Sequence, residues 1–547
     1  MQNPRSQSTA IDTSVDTKTS LIDQVSRLIH DTGQKTSPKE KKSVESKSKY
    51  NILHVAAEVT PFSSVGGLSQ VVGQLSRAMA KRGHDVRIFM PKYGFIDEKK
   101  YKMELAYKGM RIPTGYGKDD PHPSSVICNV KKYVREDGVI VYFLENMEYY
   151  EKRSNVYSYS DDHVRWALLS QGALKYVCRF LDWEPDIIHA HDWHTALVPN
   201  IIATDYKKSS CFKDVATVLT IHNIYFQGQA VDPNSELNFD DGRSEIPRIF
   251  SQRLKHLNYL KRGILYSNIV NTVSEGYARQ LLTKEYGGDL SKLLNELRSK
   301  LFGIVNGIDY EKMDPMTDAL LIKNYDVNSI DLRSSNKIKL QREFGLEEDV
   351  DVPVFGFVGR LDRQKGIDLL IEVLEKFLKD FKAQFVLIGG GDRGLEKKAK
   401  SLEGKFPGRV GVHTYPDFTL PRLVFGGADI MPMPSRFEPC GIVQMEAMRY
   451  GAIPIVRATG GLDDTVEDFN PATGEGNGFK FKDFDGWSLY GQMVRALETY
   501  RNKQIWRNIQ INAMSSDFSW DTIALNYERL YNRAFQFKEE RPSLFVE

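Results

Sequence analysis

The stretch Ile52-Leu-His-Val-Ala-Ala57 is a short apolar run of the kind that forms a buried strand. It is followed by the glycine loop Ser64-Val-Gly-Gly-Leu68 and by apolar residues that recur at helical spacing from Val71 to Met79. The run Asp85-Val-Arg-Ile-Phe-Met-Pro91 then predicts a second strand. Strand, glycine loop, helix and strand in this order predict an α/β domain built on a parallel sheet.

The same order of elements starts again two-thirds of the way along the chain. Val354–Val358 predicts a strand, Gly366–Phe381 a helix, and Gln384–Ile388 a strand that leads into Gly389-Gly-Gly391. The stretch between the two units, from Asp309 to Val352, is polar and irregular, as expected where one domain passes into another. We therefore predict an α/β protein with two Rossmann-like domains that face each other across a ligand-binding cleft.

The ends of the chain differ from these two units. Residues 1–48 are rich in Ser, Thr, Lys and Asp and bury too little apolar surface to order themselves, so we predict a disordered tail. A transit peptide would be rich in Arg and poor in acidic residues, whereas this stretch carries Asp12, Asp16, Asp23 and Asp31. We expect the first domain over 49–310, the second over 311–517, and a helix within 518–547.

Composition restricts the class of protein. Of the 547 residues, 41% are hydrophobic and 27% charged, and the formal net charge is +2, which gives no reason to expect nucleic acid or an acidic membrane as a partner. No apolar run approaches the roughly 18 residues of a membrane-spanning helix, and the amino terminus lacks the plan of a secretory signal. We expect a soluble intracellular protein, in the cytoplasm, or in a plastid if the tail is a transit segment.

The cysteines suggest neither a disulfide framework nor a zinc site. Cys128, Cys178, Cys211 and Cys440 are widely spaced and form no CxxC pair. A reducing compartment is the expectation that follows.

The most specific motif lies in the second domain. Pro434-Ser-Arg-Phe-Glu-Pro-Cys-Gly441 follows the strand-like run Ala428–Met433, and Thr459-Gly-Gly-Leu462 comes shortly after it. Ligands bind where the carboxyl ends of parallel strands open into a crevice, so Glu438 is a candidate ligand-binding carboxylate. The glycines at 66, 67, 460 and 461 allow a backbone to approach an anion closely. Taken alone, each of these stretches could equally be a solvated loop or a turn.

Together the motifs resemble those of the glycogen and starch synthases, which are retaining glucosyltransferases of the GT-B fold. The resemblance covers about residues 50–540. The motifs that carry it are Ala57-Glu-Val-Thr-Pro-Phe62, Gly66-Gly-Leu68, Tyr159-Ser-Asp-Asp-His-Val-Arg165, His189-Ala-His-Asp-Trp-His194, Thr220-Ile-His-Asn223, Val305-Asn-Gly-Ile-Asp309, Gly359-Arg-Leu-Asp-Arg-Gln-Lys-Gly366, Pro434–Gly441, Thr459-Gly-Gly-Leu-Asp-Asp-Thr465 and Phe518-Ser-Trp520.

The resemblance implies a role for each matched residue. Arg360 and Lys365 are expected to stabilise the negative charge that develops on the nucleotide diphosphate, and Glu438 and His222 to act beside the transferred glucose. The expected donor site comprises Gly66, Gly67, Asn306, Arg360, Lys365, Thr459, Gly460 and Gly461. The expected sugar and acceptor cleft comprises Tyr159, Asp162, Arg165, Asp192, His194 and Asn223. Retention follows either from double displacement or from a same-face reaction guided by the leaving phosphate, and the sequence does not choose between them.

The family resemblance also implies a metal-independent enzyme with no cofactor besides its nucleotide-sugar substrate. His189, His191, Asp192 and His194 resemble metal ligands in type. We expect them instead to form the wall of the glucan or donor pocket. The segment after Trp520 is expected to cross back and pack on the first domain.

Three positions depart from the family pattern. Ser64 stands where relatives carry Lys in a K-x-G-G-L motif, and Gln70 stands where they usually carry Asp. Glu446 completes a Glu-x7-Glu spacing at a position that is often neutral in close relatives. Either the changes at 64 and 70 compensate each other, because they remove both partners of one ion pair, or they mark an altered choice of sugar donor or a weak activity.

We expect the protein to transfer glucose from ADP-glucose to the non-reducing end of an α-1,4-glucan such as glycogen or starch. UDP-glucose is the second choice of donor, and another acceptor remains open. The alternative from another class is a glucan-binding scaffold that has kept the fold and lost turnover.

Overall fold

A computed structural model of the chain describes residues 49–230, 240–415, 417 and 419–540. The predicted tail, residues 1–48, lies outside these ranges. Within them, each predicted strand and helix of the two repeated units is present with bounds that differ by at most a few residues. None of the described helices is long and apolar enough to cross a membrane.

The first sheet of the described residues has nine strands, in the order β3-β4-β5-β2-β1-β6-β7-β8-β9. The strands are β1 Asn51–Val55, β2 Asp85–Pro91, β3 Glu104–Pro113, β4 Ser125–Val134, β5 Ile140–Glu145, β6 Ile187–His191, β7 Ala216–Ile221, β8 Ile269–Thr272 and β9 Leu301–Gly303. The strands that run parallel to one another are β5, β2, β1, β6, β7, β8 and β9, in that order across the sheet. Strand β4 pairs antiparallel with both β3 and β5.

The second sheet has six strands in the described residues, all parallel, in the order β12-β11-β10-β13-β14-β15. The strands are β10 Val354–Val358, β11 Gln384–Ile388, β12 Val410–His413, β13 Ile430–Met433, β14 Ile453–Arg457 and β15 Phe479–Phe481. They are almost entirely buried, as is usual for a parallel sheet with helices on both faces.

Helices connect the strands and cover both sheets. The helices of the first sheet are α1 Gly67–Lys81, α2 Asp162–Phe180, α3 Asp192–Thr195, α4 Leu197–Thr204, α5 Tyr259–Tyr266, α6 Glu275–Leu281, α7 Lys284–Gly287 and α8 Ser291–Glu296. Those that follow are α9 Arg333–Glu343, α10 Ile367–Asp380, α11 Arg393–Lys405, α12 Leu420–Gly427, α13 Val443–Arg449, α14 Gly460–Thr465, α15 Gly486–Arg501, α16 Lys503–Ser515 and α17 Trp520–Glu540. The prediction of an α/β protein with two Rossmann-like domains is confirmed, and the first sheet adds the antiparallel strand β4 near its edge.

The strand order places a crevice in each domain. In the second sheet the chain winds outward in one direction from β10 and in the other from β13, so their carboxyl ends mark the switch point where ligands bind. The loops 359–366 and 434–442 leave the sheet there. In the first sheet the same reversal lies between β1 and β6, followed by the loop 56–66 and by Asp192. Gly66, Asp192, Arg360, Lys365 and Glu438 therefore follow the strands that open the two crevices.

The last helix, α17, packs against α1, β7 and β8 of the first domain. Tyr531 Oη lies 3.0 Å from His189 Nδ1 on β6, and Glu528 accepts a hydrogen bond of 2.6 Å from Arg82 Nε just after α1. Gly307 allows the chain to enter this contact, because a Cβ there would lie 2.8 Å from the Trp520 ring. The predicted boundaries at 310 and 517 stay predictions.

One expectation from the cysteine spacing is wrong. Cys178 and Cys211 form a disulfide with a sulfur–sulfur distance of 2.01 Å, although 33 residues separate them in sequence. The fold brings the end of α2 next to the segment before β7, a proximity that no local spacing reveals. Cys128 and Cys440 are free and buried.

Three backbone segments meet where the two domains touch, and we name them the domain junction: 274–276 of the first domain, and 438–440 and 459–461 of the second. Ser274 Oγ donates to the Pro439 carbonyl oxygen at 2.6 Å, and the Gly276 N–H donates to Asp464 Oδ2 at 2.7 Å. Gly276 is required because a Cβ would lie 2.6 Å from the Gly460 carbonyl oxygen. A Cβ at Gly461 would overlap the Cys440 backbone.

We predict that Gly461→Ala destabilises the second domain by about 3 kcal/mol, because the new methyl group meets rigid backbone rather than a flexible side chain. The measurement is chemical denaturation. The control is Gly491→Ala in helix α15, where a Cβ has nothing within 4 Å and alanine favours the helix. Equal stability of Gly461→Ala and wild type would contradict the close packing of the domain junction.

Candidate active site

The centre of the second crevice is an ion pair between the loops that follow β10 and β13. Lys365 Nζ lies 2.6 Å from Glu438 Oε2, and Ser435 Oγ donates to the same oxygen at 3.1 Å. The Glu438 side chain is only 9% exposed. The sequence predicted both charged residues, and the structure brings them into direct contact. A carboxylate and an ammonium thus face one small volume at the switch point of the sheet.

Arg360 lies on the same loop but is open to solvent. Its side chain is 70% exposed, and the guanidinium pairs with Asp362 at 3.2 Å and Gln364 at 3.4 Å. The Lys365 N–H donates to Asp362 Oδ1 at 3.0 Å, which fixes the turn between the two cations. Because a surface ion pair contributes little stability, Arg360 is free to exchange its partner for a phosphate.

The second glycine pair is anchored on both sides. Thr459 is buried, and its Oγ1 accepts a hydrogen bond of 2.9 Å from Gln280 Nε2 of the first domain. The Gly461 N–H donates to the Glu438 carbonyl oxygen at 3.1 Å, so this amide already has a partner within the protein. The contact of Gly461 with a diphosphate stays a prediction. Gly460 keeps a positive φ of 50° that suits glycine.

Asn306 and Cys440 lie behind the ion pair. The Asn306 N–H donates to Cys440 Sγ at 3.4 Å, and Asn306 Oδ1 has no hydrogen-bond partner among the described residues. Burial raises the pKa of the Cys440 thiol to about 12, which leaves it protonated. This agrees with the interpretation of Cys440 as a packed residue rather than a nucleophile.

In the first domain, the Glu58 carboxylate hydrogen bonds to the backbone of the glycine loop. Its Oε2 accepts hydrogen bonds from the Val65 N–H at 2.5 Å and from the Gly66 N–H at 3.2 Å. Burial raises the pKa of Glu58, and the two backbone hydrogen bonds oppose that rise. The sequence analysis predicted that this loop would bind an anion, and the structure shows a carboxylate of the protein on two of its amides. Gly67 remains exposed, with open space beside it.

The departures from the family pattern lie on or near these loops. Ser64 Oγ lies 2.9 Å from Ser69 Oγ, which donates to the Gly66 carbonyl oxygen at 2.8 Å, and Gln70 is exposed. Hydroxyl groups therefore hold the loop at the position where relatives carry a cation. Glu446 sits in the first turn of α13, and burial raises its pKa to about 7.

Four imidazoles form a group beside the first crevice, in which those of His54, His189 and His191 are buried and that of His222 is partly exposed. His54 Nδ1 lies 3.1 Å from His191 Nε2, and His191 Nδ1 lies 3.1 Å from His222 Nε2. His189 contacts Thr220 Oγ1 at 2.7 Å, and its ring stacks on that of His191 with centroids 4.2 Å apart. Burial lowers the pKa of His54 and of His222 to about 3, so these rings are neutral near pH 7.

The nitrogens of His54, His189 and His191 lie within 4.8 Å of one another, close enough to raise the question of a metal. The His191 ring stacks on those of His54 and His189, however, and a metal ligand directs its lone pair in the plane of the ring. Both nitrogens of His189 and of His191 already contact hydrogen-bonding groups. Hydrogen bonding accounts for this arrangement, and the expectation that the site works without metal stays a prediction.

Asp192 holds the loop that carries His222. Its Oδ1 accepts hydrogen bonds from the His222 N–H at 2.7 Å and the Asn223 N–H at 3.3 Å. Burial raises the pKa of Asp192 to about 7, and the residue has an unusual positive φ of 55°. His194 is also buried, and its ring contacts those of Tyr157, Trp166 and Trp193. Burial lowers the pKa of His194 to about 3. The structure thus places Asp192 against the backbone of His222 and Asn223, and the predicted sugar-cleft roles of Asp192, His194, His222 and Asn223 stay predictions.

Tyr159, Asp162 and Arg165 form one group, and Arg165 is its fully buried member. It pairs with Asp162 and donates to the carbonyl oxygens of Tyr149 at 2.8 Å and Val156 at 2.9 Å. The Tyr159 ring lies 4.9 Å from the guanidinium carbon. Arg165 therefore holds the segment 149–162 in place, and its contact with the sugar stays a prediction without support from this geometry.

Glu58 and Ser435 contact predicted site residues but received no role from the sequence, and the exposed Tyr415 was not singled out. Glu58 stood within a quoted motif, and its carboxylate received no role. Ser435, next to the predicted Arg436-Phe-Glu438 turn, supports Glu438 directly. Tyr415 follows β12 at the carboxyl edge of the second sheet and is 73% exposed. An exposed aromatic residue at a strand end is a recognisable signal, but only once the strand is known.

The chain is similar to known proteins over both of its domains. The family model for the starch synthase catalytic domain matches residues 51–296, and that for glycosyl transferases group 1 matches 339–506. A curated glycogen synthase of Streptococcus pneumoniae is 39% identical over 482 residues, which cover 88% of this chain and 99% of the relative.

Solved structures show the same relation. The catalytic domain of starch synthase IV from Arabidopsis thaliana, bound to ADP and acarbose, is 31% identical with a TM-score of 0.77, covering 89% of this chain and all of that one. A sucrose-phosphate synthase from Thermosynechococcus elongatus, 18% identical over 89% of this chain and 99% of its own, has a TM-score of 0.55 and shares the fold. The chain therefore belongs to the glycogen and starch synthase family of GT-B glycosyltransferases.

Proposed function

We propose that the protein transfers glucose from ADP-glucose to the non-reducing end of an α-1,4-glucan, with retention of configuration. The observation that carries the proposal is the Lys365–Glu438 pair of 2.6 Å at the switch point of the second sheet. ADP as the nucleotide is supported by the related starch synthase IV, whose structure holds ADP. A cytoplasmic location is part of the proposal and is supported by the likeness to a bacterial glycogen synthase.

The ion pair suits the charges of the reaction. As the bond from glucose to the diphosphate breaks, negative charge grows on the phosphate and positive charge on the sugar. In the proposed complex the Lys365 ammonium leaves Glu438 for the phosphate, and Arg360 leaves Asp362 for the same group. Glu438 then accepts hydrogen bonds from glucose hydroxyls and lies near the developing positive charge. Because both cations stabilise the transition state more than the ground state, they accelerate the transfer.

The first domain supplies the other wall of the cleft. His222 begins the loop after β7, and its neutral ring can hydrogen bond to a hydroxyl group of the transferred glucose. In the proposed complex the domain junction holds this loop opposite Glu438, and closure of the cleft excludes water, which would otherwise hydrolyse the activated sugar.

The direct test is transfer of labelled glucose from ADP-glucose, and separately from UDP-glucose, into glycogen by the purified protein. We expect transfer from ADP-glucose, and a loss of about a hundredfold or more in Glu438→Gln, which keeps the shape and removes the charge. The matched control is Glu372→Gln, an exposed glutamate on α10. Glycogen binding without transfer from either donor would favour the scaffold alternative, and transfer only from UDP-glucose would correct the donor.

We also propose that the reaction needs no metal ion, because Arg360 and Lys365 supply the positive charge beside the phosphates. The expected result is an equal rate of transfer before and after treatment with EDTA. A loss of rate that added Mg²⁺ or Mn²⁺ restores would contradict this part of the proposal.

The Ser64 position gives a further prediction. Ser64→Lys restores a cation beside the glycine loop, and we expect kcat/KM for ADP-glucose to rise about tenfold, since a charged hydrogen bond contributes about 1.5–3 kcal/mol. Ser64→Met is the control, because it also removes the bond to Ser69 and adds a side chain of similar length without charge. Equal effects of the two variants would show that a missing cation does not limit the enzyme.

A further inference from the structure

The loop that follows β7 is fixed at its start. We name residues 222–228 the aromatic loop. The N–H groups of His222 and Asn223 donate to Asp192 Oδ1, and the Ile224 N–H donates to the hydroxyl of Tyr277 on α6 at 3.3 Å. Ile224 is itself buried. The first three residues of the aromatic loop therefore belong to the packed wall of the crevice.

The far end of the aromatic loop is fixed as well. Gly228 has φ of +81° and packs so tightly on the Trp193 ring that a Cβ would overlap it. Gln227 accepts hydrogen bonds from Asn258 Nδ2 at 2.6 Å and from the Leu260 N–H at 3.2 Å. Both ends of the loop are thus tied to the first domain, and its tip has little freedom to move.

Two large aromatic side chains stand at this tip and face solvent. Tyr225 is 77% exposed and Phe226 is 57% exposed. Their rings lie 5.5 Å apart at an angle of 84°, and Asn223 Oδ1 accepts the Tyr225 N–H at 3.0 Å to shape the turn. A mobile loop could bury such rings elsewhere, but this loop is anchored and presents them to solvent. Rigid, exposed aromatic rings next to a ligand-binding crevice are characteristic of a binding surface.

We propose that Tyr225 and Phe226 form a platform that binds the α-glucan acceptor chain beside the transferred glucose. Pyranose rings carry C–H groups on their faces, and these groups pack on aromatic rings without any need for charge. The platform lies three residues beyond His222, so a chain lying on it leads towards the predicted position of the reacting sugar. This inference rests on the proposed function, whose acceptor it locates.

The test is the affinity for maltoheptaose, measured by calorimetry without any sugar donor. Tyr225→Ala and Phe226→Ala each weaken binding by about tenfold, the scale expected for one aromatic contact. Both side chains are exposed, so the variants should keep the stability of the wild type. Tyr225→Phe keeps the ring and should bind as the wild type does. Ile127→Ala on β4, which removes a 53% exposed apolar side chain outside the crevice, is the matched control.

Kinetics give a second reading of the same variants. We expect the KM for maltoheptaose to rise about tenfold, while the KM for ADP-glucose and the kcat at saturating acceptor stay unchanged, because the rings contact only the acceptor. Unchanged maltoheptaose affinity in the Tyr225→Ala/Phe226→Ala double variant, or equal losses in Ile127→Ala, would overturn the platform. The wild type could bind maltoheptaose without transferring glucose. Loss of that binding in the double variant would then support the platform, while the missing transfer would refute the proposed enzyme.

Discussion

The site depends on a close approach of three backbone segments at the domain junction. Gly276, Gly460 and Gly461 have no side chains, so the carbonyl groups at 438–440 come near enough to the first domain for Ser274 to donate to Pro439. This contact sets the position of Glu438 relative to the loop after β7. Larger residues at the three glycines would separate the two crevices that the strand order creates, and the site would lose its second wall.

The ion pair between Lys365 and Glu438 places two opposite charges at the centre of the site. Lys365 and Glu438 are each other's partner at 2.6 Å, so neither charge is left alone in a crevice that excludes much of the solvent. The arrangement suits a donor substrate that carries both a diphosphate and hydroxyl groups, because it offers a new partner to each residue. On the first domain, the Glu58 carboxylate also binds groups of the protein that could otherwise bind a ligand, because it accepts hydrogen bonds from two amides of the glycine loop.

Much of this could be predicted from the sequence, and the reason is local. Apolar runs such as Val354–Val358 carry their structure in consecutive residues, so the two domains could be predicted. Lys365 and Glu438 were named separately from family motifs, and their direct contact was not predicted. Two of the features that were missed depend on distant residues: the Cys178–Cys211 disulfide and the Thr459 contact with Gln280. The amides that bind Glu58 lie only seven and eight residues away, but the shape of the loop that brings them to the carboxylate does not show in the motif. Arg165 shows a different limit of the sequence, because its burial and its bonds to backbone carbonyl oxygens depend on the packing of the segment 149–162, while its expected place in the cleft stays a prediction.

The central claim is that a diphosphate replaces Glu438 as the partner of Lys365. A crystal structure of the protein with ADP tests it most directly. The account predicts that Lys365 Nζ and the Arg360 guanidinium lie within hydrogen-bond distance of phosphate oxygens, and that the Glu438 carboxylate turns towards the space of the sugar. ADP bound while Lys365 and Glu438 remain paired, or bound away from the loops after β10 and β13, would contradict it.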